Sequence, residues 1–502
     1  MILGFCGFYS IYRETPVDFY KSKFSVKGKK HSHRVPFRDS NIEILSIGNK
    51  HKFDAIYPVL LCGQLSNEDA VKKHILKRTG KAVSSASEAI WCLYKLYGSD
   101  GFKFLDGWFS GVLFTENGIT FFSGKASGPT MYYYSKDGVI IFLTELKSAP
   151  KDYSKIRQFE ELISCHSKQK TTCLENFFKV QPGYVVEIYF STLSDPVVKE
   201  RLYYSVEGNI LLVDEAETSK KIREKLSDAV FGMQGNRATC LISGGLDSSI
   251  IATLANERFS ELQLVSIGTE EKNEFKQSSV IAQSLGKGFD RIYFKEAEML
   301  ATLPETVSLL EHCHSTFIEY ILPVNLAHLN IKDAGDIILS GYGSDIIFAG
   351  FAKPSDSTRD VAELVKEEYE STFWSNEASQ TLGGVINTQV GYPFFDSKVI
   401  DLAFSIDPHL FHKNGTEKYI LRQAFKELLP KEIVNRTKLG VHQGTGLEDS
   451  FSSLLSKYRS DLNKYSIRIA KDKICYKILE KIVVDKVSPS DIDIEKIVVE
   501  HF

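Results

Sequence analysis

The sequence predicts an α/β protein with two domains, and three observations carry that prediction. The chain has 502 residues, which is too long for one compact core and suits two domains of ordinary size. Short β-type runs rich in aromatic residues fill the chain up to about residue 205, and strands alternate with helices after that point. We therefore expect stacked antiparallel sheets with flanking helices over residues 1–205, and a parallel sheet covered by helices over residues 206–502.

The composition is that of a globular protein without a nucleic-acid or membrane partner. Hydrophobic residues make up 43% of the chain, charged residues 25%, and the net charge is −3, so no basic excess favours nucleic acid. No window holds about 18 consecutive apolar residues, and the start, MILGFCGFYS, lacks the pattern of a signal peptide. The eight cysteines are scattered, which is typical of reduced thiols. We expect a cytoplasmic protein.

Turn residues between apolar runs indicate the elements of the first domain. Hairpins are predicted at residues 116–118 and 136–138, where Asn-Gly and Asp-Gly separate two runs. A helix is predicted from Ser87 to Tyr97. The strand-like runs are residues 59–63, 108–114, 119–123, 139–143 and 184–188.

The elements of the second domain alternate in type. Apolar residues recur at helical spacing from Asp214 to Phe231. Helices are expected to dominate after residue 300, apart from one strand at 336–339, and the segment after about residue 445 is expected to be peripheral helix. The elements between are a strand at 238–242, a helix at 248–257, a strand at 262–267, a helix at 275–285 and a strand at 291–294.

A glycine-serine turn lies where the first parallel strand ends and the next helix begins. A helix N-terminus leaves backbone N–H groups unpaired and is positive, which suits a phosphate. Gly244 and Gly245 let the backbone approach a phosphate closely, and the serine hydroxyls add donors. Asp247 would repel a phosphate but is suited to Mg²⁺ bridging phosphates. The full turn is Ser243, Gly244, Gly245, Leu246, Asp247, Ser248 and Ser249.

The alternative interpretation of this segment is a tight strand-to-helix turn capped by serine. The complete SGGLDSS heptad in this context favours phosphate binding, and it differs from the GxxxxGK[ST] loop because it has no corresponding lysine. A metal site at His312, Cys313 and His314 is disfavoured, because adjacent residues on a helix point in different directions.

SGGLDSS is similar to the pyrophosphate-binding loop of the ATP pyrophosphatases, and the chain resembles the asparagine synthetase superfamily over nearly its whole length. The resemblance implies a glutaminase-like Ntn-hydrolase αββα domain followed by an ATP-pyrophosphatase (adenine nucleotide α-hydrolase-like) domain. Four further segments support the resemblance. Ser266–Thr269, with Ile267 and Gly268, resembles an adenosine-binding turn, and Gly341–Asp345 resembles a second metal-carboxylate loop. Lys418–Phe425 resembles the late helix of the superfamily, and Lys438–Gly440 resembles its terminal basic loop.

Within the superfamily, three strings are similar to carbapenam synthetases and, a step further off, to β-lactam synthetases. They are SIGTEEKNEF at 266–275, SGYGSD at 340–345 and RTKLGVHQG at 436–444, where ordinary asparagine synthetases differ. This resemblance implies ATP-dependent closure of carboxymethylproline to a carbapenam-3-carboxylate through an acyl-adenylate, with AMP and pyrophosphate released. It also suggests a homo-oligomer.

The first domain departs from the glutaminase pattern. Members that hydrolyse glutamine use an N-terminal cysteine, whose free α-amine activates the thiol. Cys6 is internal, so its nitrogen lies in a peptide bond and cannot act as that base. We expect Cys6 to be a small apolar residue of the first strand and the domain to be inactive as a glutaminase. Such a chain suits a substrate that already carries its amine.

The resemblance also implies the residues that handle ATP and Mg²⁺. Asp247 and Asp345 are expected to hold Mg²⁺ on the phosphates, and Lys418 to neutralise departing pyrophosphate. The remaining expected nucleotide-binding residues are Ser243, Gly244, Gly245, Ser248, Ser249, Ile267, Gly268 and Gly341.

For the amide-forming step the resemblance implies a Tyr–Glu pair and a lysine. Tyr342 and Glu377 would remove the proton from the attacking amine, and Lys438 would stabilise the oxyanion. Each has an ordinary alternative: a packed turn aromatic, a solvated glutamate and a surface lysine. Glu319 and Tyr320 have two interpretations: they line the substrate pocket, or they lie away from it.

Two rival functions remain open at this point. One is another amide ligase of the superfamily: a monocyclic β-lactam synthetase, a lasso-peptide cyclase or an ammonia-dependent asparagine synthetase. The other is a non-catalytic scaffold that binds nucleotide, against which the presence of Asp247, Asp345, Tyr342 and Lys438 weighs.

Overall fold

The architecture is taken from a computed structural model of the chain. The described residues are 2–10, 15–16, 19, 24, 29–37, 40–48, 56–116, 118–126, 128–164, 170–190, 196–206, 208, 211–351, 360–376, 382, 386, 388–437 and 466–501.

The first domain consists of antiparallel strands with helices on the outside. Its strands are β1 Ile2–Ser10, β2 Lys29–Phe37, β3 Ser40–Gly48, β4 Val59–Leu65, β5 Gly107–Thr115, β6 Gly118–Ser123, β7 Met131–Lys136, β8 Val139–Leu143, β9 Phe177–Val180, β10 Tyr184–Tyr189 and β11 Val197–Leu202. Its helices are α1 Glu68–Thr79, α2 Ala86–Tyr97 and α3 Phe159–Ser164.

These strands form two sheets joined at one corner. One sheet has the order β11-β10-β6-β5-β4, and the other has the order β2-β3-β1-β8-β7-β9. A parallel bridge between Ile2 and Cys62 links β1 to β4, whereas β1 pairs with β3 and β8 over most of its length. Thr115 lies opposite Gly118 and Lys136 opposite Val139, so both predicted hairpins are confirmed.

The two sheets pack face to face through an aromatic core. The Phe121 ring of the first sheet lies 5.7 Å from Tyr133 and 5.8 Å from Phe142 of the second, between ring centroids. The other face of the first sheet packs against α1 and α2. The predicted stack of antiparallel sheets with flanking helices is therefore confirmed, and alternation along each strand explains it.

The second domain contains a parallel sheet and most of the helices. Its elements are α4 Glu215–Phe231, β12 Arg237–Leu241, α5 Leu246–Arg258, β13 Glu261–Gly268, α6 Phe275–Ser284, β14 Asp290–Tyr293, α7 Glu296–Ala301, α8 Leu303–Leu310, α9 Ser315–Asn330, β15 Ile337–Leu339, α10 Ser344–Ile347, α11 Val361–Ser375, β16 Gln389–Gly391, α12 Ser397–Phe404, α13 Tyr419–Phe425, α14 Lys431–Val434, α15 Ile467–Val483 and α16 Ile494–His501.

The parallel sheet has the order β14-β13-β12-β15-β16. The chain builds it outward from β12 to β14, then returns to the other side of β12 for β15 and β16, all in parallel. The strand order therefore reverses between β12 and β15. In open sheets of this kind, ligands bind beyond the carboxyl ends of the strands at such a switch point.

The predicted strands and helices of this domain are present, with ends that differ by one or two residues. Strand β16 was missed, because a three-residue strand at the sheet edge carries too little pattern to stand out. Within the described residues, no helix combines the length and apolar character that a bilayer crossing requires.

The prediction of a peripheral helix after residue 445 is wrong for α15. Ten of its residues are buried, among them Ile474, Ile478 and Leu479. The helix packs against α8 of its own domain, and the Tyr476 hydroxyl donates to the Arg157 carbonyl beside α3, at 3.0 Å. One continuous hydrophobic core includes α15 together with the outer face of the second sheet. Four interspersed lysines obscured an apolar stripe at helical spacing.

Candidate functional site

The candidate site lies at the switch point of the parallel sheet. β12 leads into the turn at 243–245, and its neighbour β15 leads into the loop at 340–344. Because parallel strands place their carboxyl ends at the same edge, the two segments that the sequence singled out lie side by side.

The glycine turn can be formed only because Gly244 has no side chain. Its φ is +65°, and a Cβ there would lie 2.4 Å from the Gln277 backbone of α6. The Ser243 and Ser248 hydroxyls lie 3.3 Å apart, and that of Ser243 accepts from the Gly245 N–H at 3.3 Å. The serines thus close the turn as well as providing donors.

Helix α5 begins directly after this turn and points its N-terminus at the site. Its first turn has N–H groups without helical partners, which suits an anion. Ser249 is different from Ser243 and Ser248: it is fully buried, and its N–H donates to the Gly245 carbonyl at 3.2 Å. This burial argues against the predicted role of the Ser249 hydroxyl as a phosphate donor.

The second loop touches the first at Gly341. A Cβ at Gly341 would lie 2.8 Å from the Ser248 nitrogen and 2.9 Å from the Asp247 carbonyl carbon. Gly341 is therefore required for the close approach of the two loops, which places Asp345 in the same cluster as Asp247.

Lys418 holds the two predicted metal carboxylates together. Its Nζ lies 2.7 Å from Asp247 Oδ2 and 2.5 Å from Asp345 Oδ1. Ser344 donates to Asp247 Oδ1 at 2.7 Å and lies 3.1 Å from Lys418 Nζ. A Cβ at Gly350 would lie 2.1 Å from Lys418 Cε, so a glycine at this position leaves room for the lysine side chain.

The backbone of Lys418 is itself unusual. Its φ is 53° and ψ 37°, in the left-handed region, immediately before α13. That conformation costs a non-glycine residue about 1 kcal/mol, and the ion pairs that it makes oppose this cost. Burial tends to lower the pKa of Lys418, but Asp247 and Asp345 outweigh it and raise the pKa above its ordinary value.

The donor set fits Mg²⁺ bound with phosphates. Oxygen ligands are what Mg²⁺ prefers, and it commonly takes one or two carboxylates together with phosphate and water oxygens. Asp247 and Asp345 both pair with the Lys418 ammonium group, and 22% and 36% of their side-chain surface is exposed. Among the described residues, no group of three or more His, Cys, Asp or Glu could hold a metal unaided.

Tyr342 lies between these loops and an aromatic wall. Its ring centroid is 5.6 Å from that of Phe395 and 6.0 Å from that of Tyr392. A Cβ at Gly343, where φ is +100°, would lie 2.8 Å from Phe395. Tyr342 is partly exposed and lies at the same end of the sheet as Asp247 and Asp345.

The predicted adenosine turn follows the neighbouring strand. Ile267 and Gly268 end β13, which pairs with β12, so they lie one strand away from the glycine turn. The Gly268 carbonyl accepts from the Phe294 N–H at 3.2 Å, and a Cβ at Gly268 would lie 2.4 Å from Asn273.

Sequence reasoning missed an arginine that ties a late segment to the glycine turn. Arg436 donates to the Ser243 carbonyl at 2.9 Å and pairs with Glu274, whose pKa burial raises and Arg436 in part lowers. Arg422 in turn donates to the Arg436 carbonyl at 3.0 Å and to that of Val434. The signal was available, because Arg436 lies in the string that drew attention to Lys438.

Glu377 and Lys438 lie outside the described residues, so their roles stay predictions. Glu319, weighed as a pocket residue, forms an ion pair with Lys471 of α15. Cys6 is fully buried in the middle of β1, opposite Leu45 and Leu143. That burial agrees with a core residue of the first strand.

The comparisons with known proteins agree with this geometry. The family model for asparagine synthase matches residues 221–383 and 387–481. A carboxyethyl-arginine beta-lactam-synthase of Streptomyces clavuligerus is 27% identical over 446 residues, covering 88% of this chain and 83% of that protein. A glutamine-hydrolyzing asparagine synthetase of Arabidopsis thaliana is 26% identical, covering 78% and 68%.

Among solved structures, an NH3-dependent NAD synthetase from Campylobacter jejuni is 13% identical with a TM-score of 0.24, covering 56% of this chain and all of that one. That score is too low to carry an argument.

A parallel sheet with a glycine-serine turn at its switch point, joined to an antiparallel sandwich, defines the class: an ATP-using amide ligase. More particularly, the chain belongs to the asparagine synthase family, whose model matches more than half of its length.

Proposed function

We propose that this chain catalyses ATP-dependent intramolecular amide formation, closing the β-lactam ring of carbapenam-3-carboxylate from carboxymethylproline in carbapenem biosynthesis. One observation carries the proposal: Asp247 and Asp345 meet at Lys418 at the switch point, next to Tyr342. In this proposal, the cluster handles the phosphates and the neighbouring Tyr342 accepts a proton. The β-lactam synthase among the relatives and the three strings noted above support the ring assignment.

In the first step, the substrate carboxylate attacks the α-phosphorus of ATP and pyrophosphate leaves. The N-terminus of α5 and the Ser243 and Ser248 hydroxyls receive the pyrophosphate oxygens. Lys418, whose raised pKa keeps it charged, neutralises the negative charge that builds up on the leaving group. Asp247 and Asp345 would hold Mg²⁺, which would supply further charge neutralisation.

In the second step, the secondary amine attacks the acyl-adenylate, a C–N bond forms and AMP leaves with the C–O bond electrons. The amine must lose a proton, and we assign its removal to Tyr342. Glu377 would accept the proton from Tyr342, and Lys438 would stabilise the tetrahedral oxyanion. Holding amine and acyl carbon together in one pocket supplies effective molarity.

A second candidate function has its own support. The S. clavuligerus relative, by its name, acts on carboxyethyl-arginine, and it matches 88% of this chain. A monocyclic β-lactam from a carboxyethyl amino acid is therefore the alternative that the comparisons favour over a peptide cyclase or an ammonia-dependent asparagine synthetase.

The test is a substrate panel with the purified protein, ATP and Mg²⁺. Carboxymethylproline, carboxyethyl-arginine and aspartate with ammonium are offered separately, and AMP, pyrophosphate and a product lacking one water are followed by mass spectrometry. Ring formation from carboxymethylproline alone supports the proposal. Turnover of carboxyethyl-arginine or aspartate in preference would overturn the assigned substrate, and the Asp247→Asn variant controls for contaminating activity.

A further inference from the structure

Asn376 of the second domain is hydrogen-bonded to several side chains of the first domain. This residue ends α11 with φ at 59°, in the left-handed region that asparagine tolerates better than most residues. Its amide oxygen accepts from Lys179 Nζ at 2.5 Å and from the Thr130 hydroxyl at 3.1 Å. Its amide nitrogen donates to the Tyr132 hydroxyl at 3.0 Å and to the Leu310 carbonyl at 2.8 Å.

All four hydrogen-bonding positions of the Asn376 amide are therefore used. Three of the partners, Thr130, Tyr132 and Lys179, belong to the first domain, and Leu310 belongs to the second. A fully satisfied amide at a domain interface fixes both its own position and the backbone that carries it. A helix can end without hydrogen bonds to side chains of another domain.

Phe395 lies between α11 and Tyr342. Asn376, Phe373 and Phe395 line one cavity between the domains. The Phe395 ring also contacts Tyr342, at 5.6 Å, and Tyr369 of α11, at 6.2 Å. A shift of the end of α11 would therefore move Phe395 and, through it, the ring of Tyr342.

We propose that Asn376 is a positioning residue through which Thr130, Tyr132 and Lys179 of the first domain fix the end of α11 and the wall beside Tyr342. The first domain thereby serves the amide-forming step. This inference rests on the proposed function, because it assigns the effect to the second of its two steps. It predicts that loosening Asn376 slows ring closure and leaves adenylation intact.

The central variant is Asn376→Gly, which keeps a residue suited to positive φ and removes only the side chain. Thr130→Val removes one donor, and Thr130→Ser restores it. Asn176→Gly is the matched control, since Asn176 is an exposed asparagine with φ of 62° on a turn of the first domain.

Two half-reactions are measured separately: substrate-dependent exchange of labelled pyrophosphate into ATP, which reports adenylation, and release of ring product. We expect Asn376→Gly to lower the rate of ring formation at least tenfold while exchange stays within about twofold. Thr130→Val should show the same pattern more weakly, Thr130→Ser should recover the wild-type rate, and Asn176→Gly should match wild type in both.

Two results would overturn the inference: equal loss of exchange and ring formation together with a lowered melting temperature, or no loss of either. If the wild type forms no ring product at all, the proposed function fails separately. Hydrogen exchange over residues 370–376 then decides the positioning claim, which requires faster exchange in Asn376→Gly than in Asn176→Gly and is rejected if the two are equal.

Discussion

Two buried lysines in this molecule are each paired with two carboxylates, and their surroundings differ. At the domain junction, Lys147 Nζ lies 2.6 Å from Glu145 and 3.5 Å from Glu311, and both carboxylates are 3% exposed. In the candidate site, Lys418 Nζ lies 2.7 Å from Asp247 and 2.5 Å from Asp345, and these are 22% and 36% exposed.

The junction cluster is closed by further protein groups. Glu311 accepts from the backbone N–H groups of Leu146 and Lys147, both at 2.8 Å, and Lys147 donates to the Ser308 carbonyl at 2.7 Å. Burial raises the pKa of Glu311, and Lys147 with these N–H groups opposes that rise. The site cluster keeps carboxylate surface open toward solvent, so a ligand can still reach it. The same arrangement of one lysine and two carboxylates therefore joins the two domains in one place and stays accessible to a ligand in the other.

The largest expected effect is on activity at the open cluster. Asp247→Asn removes a carboxylate that fits Mg²⁺ and pairs with Lys418, so we expect ATP-dependent amide formation to fall by about 10³-fold or more. Release of pyrophosphate is the measurement. Activity within tenfold of wild type would contradict the role of Asp247.

The closed cluster is expected to show the largest effect on stability. Lys147→Met leaves Glu145 and Glu311 buried without their cation, which should lower the free energy of unfolding by about 3–5 kcal/mol. Lys418→Met is the matched variant: its carboxylates stay partly solvated, so unfolding should change much less while activity is lost. Denaturant unfolding of both proteins checks the pair. Equal destabilisation would remove the distinction between the two clusters.

A variant of Tyr342 tests whether the two chemical steps depend on different residues. Tyr342→Phe keeps the ring contact with Phe395 and removes the hydroxyl, so ring formation should fall by about 10² to 10⁴. Pyrophosphate exchange, which uses the charged cluster, should stay near the wild-type rate. A parallel loss of both activities would show that Tyr342 acts in the first step or in folding.

The last expected effect, on the pH dependence of stability, concerns Lys179, a partly buried lysine that forms no ion pair with a carboxylate among the described residues. Burial lowers the pKa of Lys179 to about 7, below its ordinary value near 10.5. Between these values the unfolded chain binds more protons at Lys179 than the folded chain, so stability rises with pH across that window, and the penalty is fully present below pH 7.

Lys179→Met should remove this contribution, so unfolding measured from pH 7 to 10 should rise less steeply with pH than in wild type. Identical slopes would mean that Lys179 titrates normally in the folded chain.

Local sequence patterns predicted the parts of the site that a few adjacent residues build. The heptad from Ser243 to Ser249 combines a strand end, positive-φ glycine and helix start within one segment, so the turn could be read directly. The hairpins at residues 116–118 and 136–138 are predictable for the same reason, because Asn-Gly and Asp-Gly fix the turn locally.

Long-range packing decided the rest. Lys418 meets Asp247 across 171 positions, and Asn376 meets Thr130 across 246, which no periodicity reveals. Arg436 was overlooked because its function depends on the Ser243 carbonyl, a backbone group with no sequence signature. Helix α15 was misjudged because Lys471, a residue type typical of the surface, is buried and pairs with Glu319 of α9.

The most direct test of the central claim is the identity of the nucleotide product. With Mg²⁺, ATP and carboxymethylproline, the switch-point site should yield AMP and pyrophosphate in equal amounts and exchange labelled pyrophosphate into ATP, and Lys418→Met should abolish both. Formation of ADP and phosphate instead, or exchange that persists unchanged in Lys418→Met, would contradict adenylation at this cluster.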